Sequence, residues 1–144
     1  MKLTDNFSTE EATRSHKAEM LHIDNSIPVS LLPDTLYLAK HVLQPIRERI
    51  GKRFNVSSWY RCPALNKAVG GKSTSAHLSS MAIDFVIEGL TAQETFNTVL
   101  VALKDLRIPF DQLIIEKNTK TGARWVHLAV KKTGNRNQSF RLVL

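Results

Sequence analysis

Apolar residues run along this chain in two rhythms, one with helical spacing and one dense enough for strands. From Asp34 onward, Leu36, Ala39, Leu43, Ile46 and Ile50 return at three- and four-residue steps and draw one apolar face along a long helix. Pro45 falls within that stretch, and the clash of its ring with the preceding turn predicts a kink. Gly51 follows where a left-handed cap can close the helix. A second helix opens at Thr91 and Glu94, which have capping-box spacing. Its inward face is Phe96, Val99, Leu100, Leu103 and Leu106, and Pro109 lies beyond its end. Ser8 and Glu11 repeat the capping-box spacing and predict a short helix to about Lys17. His22 to Pro33, with Asn25, Ser26, Pro28 and Pro33, reads as a loop. Pro63 to Val69 predicts a short helix with proline in its first turn, ended by Gly70-Gly71.

The denser runs read as strands: Phe54 to Trp59, Met81 to Ile87, Leu113 to Glu116, Trp125 to Val130 and Phe140 to Val143. The segment Asn118-Thr119-Lys120-Thr121-Gly122 between the third and fourth is a hairpin signal of the longer-loop kind. Helices and strands mix without a βαβ rhythm. The class is therefore α+β, a small antiparallel sheet packed against a few helices. At 144 residues the chain has the length of one domain, taken as residues 1–144.

Composition narrows the function. With 42% hydrophobic residues the chain can bury a core without disulfides. Its single cysteine, Cys62, excludes an intrachain disulfide and a cysteine-rich zinc site, and reads as a small buried hydrophobe. No apolar run is long enough for a membrane span. The N-terminus lacks the apolar core of a secretory signal, so synthesis in the cytoplasm is expected. The net charge of +7, with basic residues at Arg47, Arg49, Lys52, Arg53 and at Lys131, Lys132, Arg136, Arg141, fits equally a solvated surface that keeps a small protein soluble and an anionic partner: nucleic acid, anionic lipid or a cell wall. No aromatic residues interleave with these clusters as a nucleic-acid stacking platform requires, so nucleic acid is a minor reading.

The candidate chemistry lies in the strand-like runs. His77 precedes the run that contains Asp84, and His127 sits in the run Trp125 to Val130. Two imidazoles and a carboxylate make a three-ligand set that suits zinc and leaves a fourth position open. Asp84 lies between Ile83 and Phe85, where an unpaired carboxylate is costly; a metal ion or an arginine partner removes that cost. Arg61 carries a planar guanidinium able to hold a carboxylate through two parallel hydrogen bonds. His16, His22 and His41 have no partners at ligand spacing and are expected on the surface.

The letters around these residues resemble the zinc D-Ala-D-Ala peptidases of the M15 family of peptidoglycan hydrolases, particularly its short phage-borne members. Ser75, His77, Ala82 and Asp84 fall in register with the family's first motif, and Trp125 and His127 with its second. Ser57-Ser58-Trp59-Tyr60-Arg61, followed by Asn66, Val69, Gly70 and Gly71, is similar to the family's upstream element. The resemblance runs from about Leu3 to the C-terminus. Two positions depart from the pattern: Ser80 and Trp59 each stand where the family has glycine.

The resemblance implies a hedgehog/DD-peptidase-like fold holding Zn2+ through His77, Asp84 and His127. It implies hydrolysis of peptide bonds in peptidoglycan stem peptides, as a carboxypeptidase or endopeptidase. Glu116 matches the family's acidic residue on the strand before Trp-x-His and is the expected base; Asp111 is a weaker candidate, and Arg124 occupies a second acidic slot where it cannot serve. Arg61 is expected to grip the substrate's carboxylate or polarise its carbonyl, with Ser75 donating a hydrogen bond to substrate. The corresponding biology is an endolysin released to the wall by a separate membrane-permeabilising protein. A non-catalytic hedgehog-like zinc module, binding the wall or serving in a virion, is the alternative; Glu116 weighs against it, because a scaffold needs no base.

Overall fold

The computed structural model describes residues 1–143, with side chains described through Arg141. Its elements are helices α1 (Thr9–Thr13), α2 (His16–Met20), α3 (Leu32–Leu38), α4 (Gln44–Ile50), α5 (Pro63–Ala68) and α6 (Ala92–Asp105), and strands β1 (Phe54–Ser58), β2 (Ala82–Ile87), β3 (Gln112–Lys117), β4 (Arg124–Ala129) and β5 (Gln138–Val143). The strands form one sheet in the order β1-β2-β4-β3-β5. The α+β class holds. The first four strands pair antiparallel, as expected, whereas β5 adds to β3 in parallel.

Several local expectations change. The helix predicted to Lys17 is two helices, because Ser15 accepts from the Ala18 N–H and caps a fresh start at His16. The expected loop up to Pro33 ends early, in a 3-10 turn over Val29–Leu31 that leads into α3. The kink at Pro45 is taken up as a π-turn over Ala39–Leu43, in which the Gln44 N–H reaches back to the Ala39 carbonyl. A single π-turn inside a helix is one of the few features that accommodate a local break in its hydrogen-bond ladder. Leu36 faces solvent rather than the core. Thr35 takes the inward position, its hydroxyl bonded at 2.6 Å to that of Ser80. Gly51 closes α4 with φ of 71°, as expected.

Sheet register sorts the strand residues by face. Ile83, Phe85, Leu113, Val126 and Leu128 point into the core formed with α4 and α6. Phe54 and Phe85 stack there at 4.6 Å between centroids. α6 is held in place by its buried Val99, Ala102 and Leu103 and by the full capping box of Thr91 and Glu94. Such a cap stabilises a helix by about 1 kcal/mol. The opposite face of the sheet carries the polar residues. Asp84 of β2 pairs with His127 of β4, His127 with Ile114 of β3, and Trp125 with Glu116, two residues along. The alternation of a strand thus brings Asp84, His127 and Glu116 onto one surface.

Candidate metal centre and active site

His77 reaches this surface from a 3-10 turn, Ala76–Ser79, that packs against the start of β2. Ser75 caps the turn, its hydroxyl accepting from the His77 N–H at 3.2 Å. The turn ends at Ser80 in the left-handed conformation, φ 65°. That is the glycine-favouring geometry the family pattern implied, and serine adopts it here.

The His77 ring is fixed from behind. Its Nδ1 lies 2.6 Å from the Trp59 carbonyl, which accepts the ring proton and leaves Nε2 as the free lone pair. Nε2 stands 3.2 Å from Asp84 Oδ1, and His127 Nδ1 stands 2.8 Å from the same oxygen. Donor atoms of His77, Asp84 and His127 all lie within 4.8 Å of one another. Two nitrogens and one oxygen converging from a buried turn and two adjacent strands suit a zinc ion. The carbonyl behind His77 is the outer partner that metal-bound histidines need.

Electrostatics agree with that assignment. Burial pushes the Asp84 carboxyl up, but the two imidazoles facing it more than reverse this and hold it well below the usual carboxylate range. Burial pushes the His127 imidazole down, and the hydrogen bond and charge of Asp84, with the charge of Glu116, carry it above its ordinary value. So much negative charge at buried imidazoles is a site that favours a cation.

Glu116 Oε1 lies 3.8 Å from His127 Nδ1. Burial, then the charge of Asp84, raises its carboxyl above the ordinary range, although the imidazoles and the nearby Trp125 indole oppose the rise. The indole N–H of Trp125 is itself buried with no partner at hydrogen-bond length among the described residues. Asp111 is not in this site. It lies just before the far end of β3 from Glu116, buried and bonded to Arg136 through both carboxylate oxygens at 3.0 and 2.8 Å. Arg124 is exposed at the start of β4.

Arg61 borders the cluster. Its Nε donates to Ser58 at 3.1 Å, Nη1 to Asn66 at 3.2 Å and Nη2 to Asp84 Oδ2 at 3.4 Å. One N–H on each terminal nitrogen remains for another acceptor. Asn66 is held in turn by donating to the Lys72 carbonyl. Gly71 lies against both side chains: a Cβ there would stand 2.1 Å from Asn66 Oδ1 and 2.9 Å from Arg61 Nη1. The Asn66-to-Gly71 element therefore serves to orient Arg61. The glycines hinted at this in the sequence, through close backbone approach; the Trp59 carbonyl behind His77 left no such signal.

Other sequence candidates lie elsewhere. His16, His22 and His41 are exposed. Cys62 is a free, half-buried thiol whose sulfur accepts from the Leu65 N–H at 3.4 Å and caps α5.

A family model described as Peptidase M15 matches residues 5–129, which takes in every residue of the cluster. The chain belongs to the peptidase M15 family. M15 peptidases are zinc-dependent metallopeptidases, and in this member the cluster of His77, Asp84 and His127 is where such an ion fits. No curated protein matches the chain. β5 lies beyond the matched residues and is joined to the M15 region through β3. Among the described residues, no helix is long and apolar enough to cross a membrane.

Proposed function

We propose that this M15 peptidase is a single domain over residues 1–144 that hydrolyses peptide bonds in peptidoglycan stem peptides, in the manner of a phage lysin. The observation that carries the reading is Glu116, a carboxylate 3.8 Å from His127 on the same face as three convergent ligand atoms. A binding-only zinc module has no use for a half-buried carboxylate beside its ligands. His77, Asp84 and His127 would hold the ion. When bound, zinc lowers the pKa of water and polarises a carbonyl.

The chain's own groups complete the reaction. Glu116 takes a proton from the attacking water and returns it to the leaving amine, a role suited to a carboxyl raised by burial. Arg61 binds a carboxylate or carbonyl oxygen of the peptide through its two unused N–H groups, and its bonds to Ser58 and Asn66 keep it from rotating away. Ser75 lies beside the ligand turn and offers its hydroxyl proton to the peptide while its oxygen caps the turn. The net charge of +7 supports encounter with an anionic wall.

Purified murein digested with the protein and analysed by mass spectrometry tests this reading. Fragments with new amino termini, abolished by a chelator, are the expected result. Intact stem peptides after incubation with the zinc-loaded protein would overturn the substrate assignment.

A further inference from the structure

Away from the metal cluster, a cavity of about 500 Å³ opens between the N-terminal segment, α4 and the start of β1. Arg14, Arg47 and Arg53 line it, together with Lys2, Asp5 and Glu11. The arginines come from three separate places: Arg14 at the end of α1, Arg47 in α4 and Arg53 just before β1.

Of the six other arginines, four find acceptors and two, Arg107 and Arg124, do not among the described residues. Arg49 pairs with Asp105, Arg61 with Asp84, Arg136 with Asp111, and Arg141 donates to Gln93. The guanidinium groups of Arg14, Arg47 and Arg53 make no hydrogen bond or ion pair to the described residues. The carboxylates in the same wall do not neutralise them. Asp5 is held by Lys2 at 3.6 Å, and Glu11 turns to the Ser8 hydroxyl at 3.5 Å. Four cationic residues and two acidic ones thus line one concavity, with Arg14 and Arg53 exposed and Arg47 half-buried, and the three forked donors are unused.

Three guanidinium groups around a pocket are matched by an oxyanion with several acceptor oxygens, because each fork binds two oxygens side by side. A carboxylate offers two such oxygens, and a phosphate offers enough to occupy more than one fork. We infer that this cavity is a phosphate-binding site, taking either free phosphate or the phosphate groups of an anionic polymer. The inference is independent of the peptidase reading, since none of these residues belongs to the metal cluster.

The test is an NMR titration of the zinc-loaded protein with sodium phosphate, against sodium chloride at matched ionic strength. Amides of residues 5–14 and 47–54 should shift saturably with phosphate and not with chloride. In R47Q/R53Q the affinity read from those amides should fall on the order of tenfold or more, the scale of losing charge-assisted hydrogen bonds. The rest of the spectrum and the zinc content of the variant should stay as in the parent, which separates a lost site from a lost fold. A parallel titration with a glycerol-phosphate oligomer identifies the source: tighter binding than inorganic phosphate through the same amides assigns the polymer, and equal or weaker binding assigns free phosphate. Shifts that chloride reproduces, or an affinity the double variant retains, would overturn the site. Activity on a short soluble peptide should be unchanged in R47Q/R53Q, so failure here and failure of the peptidase reading are told apart.

Discussion

Trp59 donates its indole N–H to the carbonyl of Ser80 at 3.0 Å, which joins the two positions where this chain departs from its family's glycine pattern. Both residues are fully buried. Trp59 also gives its own carbonyl to His77 Nδ1, so one residue supports the ligand ring and the end of the turn that carries it. Trp59→Phe keeps the packing but leaves the Ser80 carbonyl without a donor. An unpaired buried acceptor costs about 1–3 kcal/mol. Urea denaturation should show a loss of that order together with weaker zinc retention; parent-like values for both would remove Trp59 from the support of the site.

Ser80→Gly should change stability by less than about 1 kcal/mol, because two effects oppose. Glycine relieves a left-handed backbone that costs other residues roughly 1–2 kcal/mol. It also removes the hydroxyl bonded to Thr35, worth about 0.5–1.5 kcal/mol. Thermal unfolding of the variant decides which is larger.

Glu116→Gln should retain fold and zinc and lose peptide hydrolysis by ~10²–10⁴-fold, the usual contribution of a general base. The amide keeps the shape of the side chain and cannot accept the proton. Turnover within a few-fold of the parent would show that another group is the base.

Gly71→Ala should act on catalysis through Arg61. The added Cβ must displace Asn66 or the guanidinium, which lie within 3 Å of it. A misplacement of about 1 Å can cost on the order of 10² in rate. Zinc content should be unchanged while turnover of a defined stem peptide falls; equal kinetics would separate Arg61 from the reaction.

Asp111 predicts one feature of acid stability. Hydrogen bonds from Arg136 hold its carboxyl below the ordinary carboxylate value in the folded protein. A depressed folded pKa stabilises the fold fully above the unfolded value, ~3.9, and the stabilisation is lost as pH falls through the folded value. The gap in urea midpoint between parent and Asp111→Asn should therefore be widest near neutral pH and shrink below about pH 4. A gap independent of pH would mean that the ion pair contributes nothing.

The cluster was legible from the sequence because its residues violate their surroundings. Asp84 and His127 interrupt apolar strands, and the β2–β4 register, which pairs them directly, places them on a common face. Glu116 came from the resemblance to the M15 pattern, and the hairpin that returns its strand to Trp125 made its reach plausible. What was not legible depended on partners distant in the chain. The inward turn of Thr35 in place of Leu36 requires Ser80, forty-five residues on. The split between α1 and α2 turns on whether Ser15 caps a new helix or rides within an old one, a choice that tertiary packing makes. The parallel course of β5 could not be read at all, since a run of apolar residues carries no direction.

That course sets an order on folding. The segment from Val130 to Asn137 carries the chain from β4 past the start of β3 to β5, so β3 lies between the two strands this segment joins. Among the described residues β5 pairs with β3 alone, and that pairing closes a longer stretch of chain than the β3–β4 hairpin does. It should be the last strand to dock and the first to detach. In native-state hydrogen exchange, amides of residues 138–141 should open by a local fluctuation while those of Val126 to Leu128 exchange only when the whole sheet does.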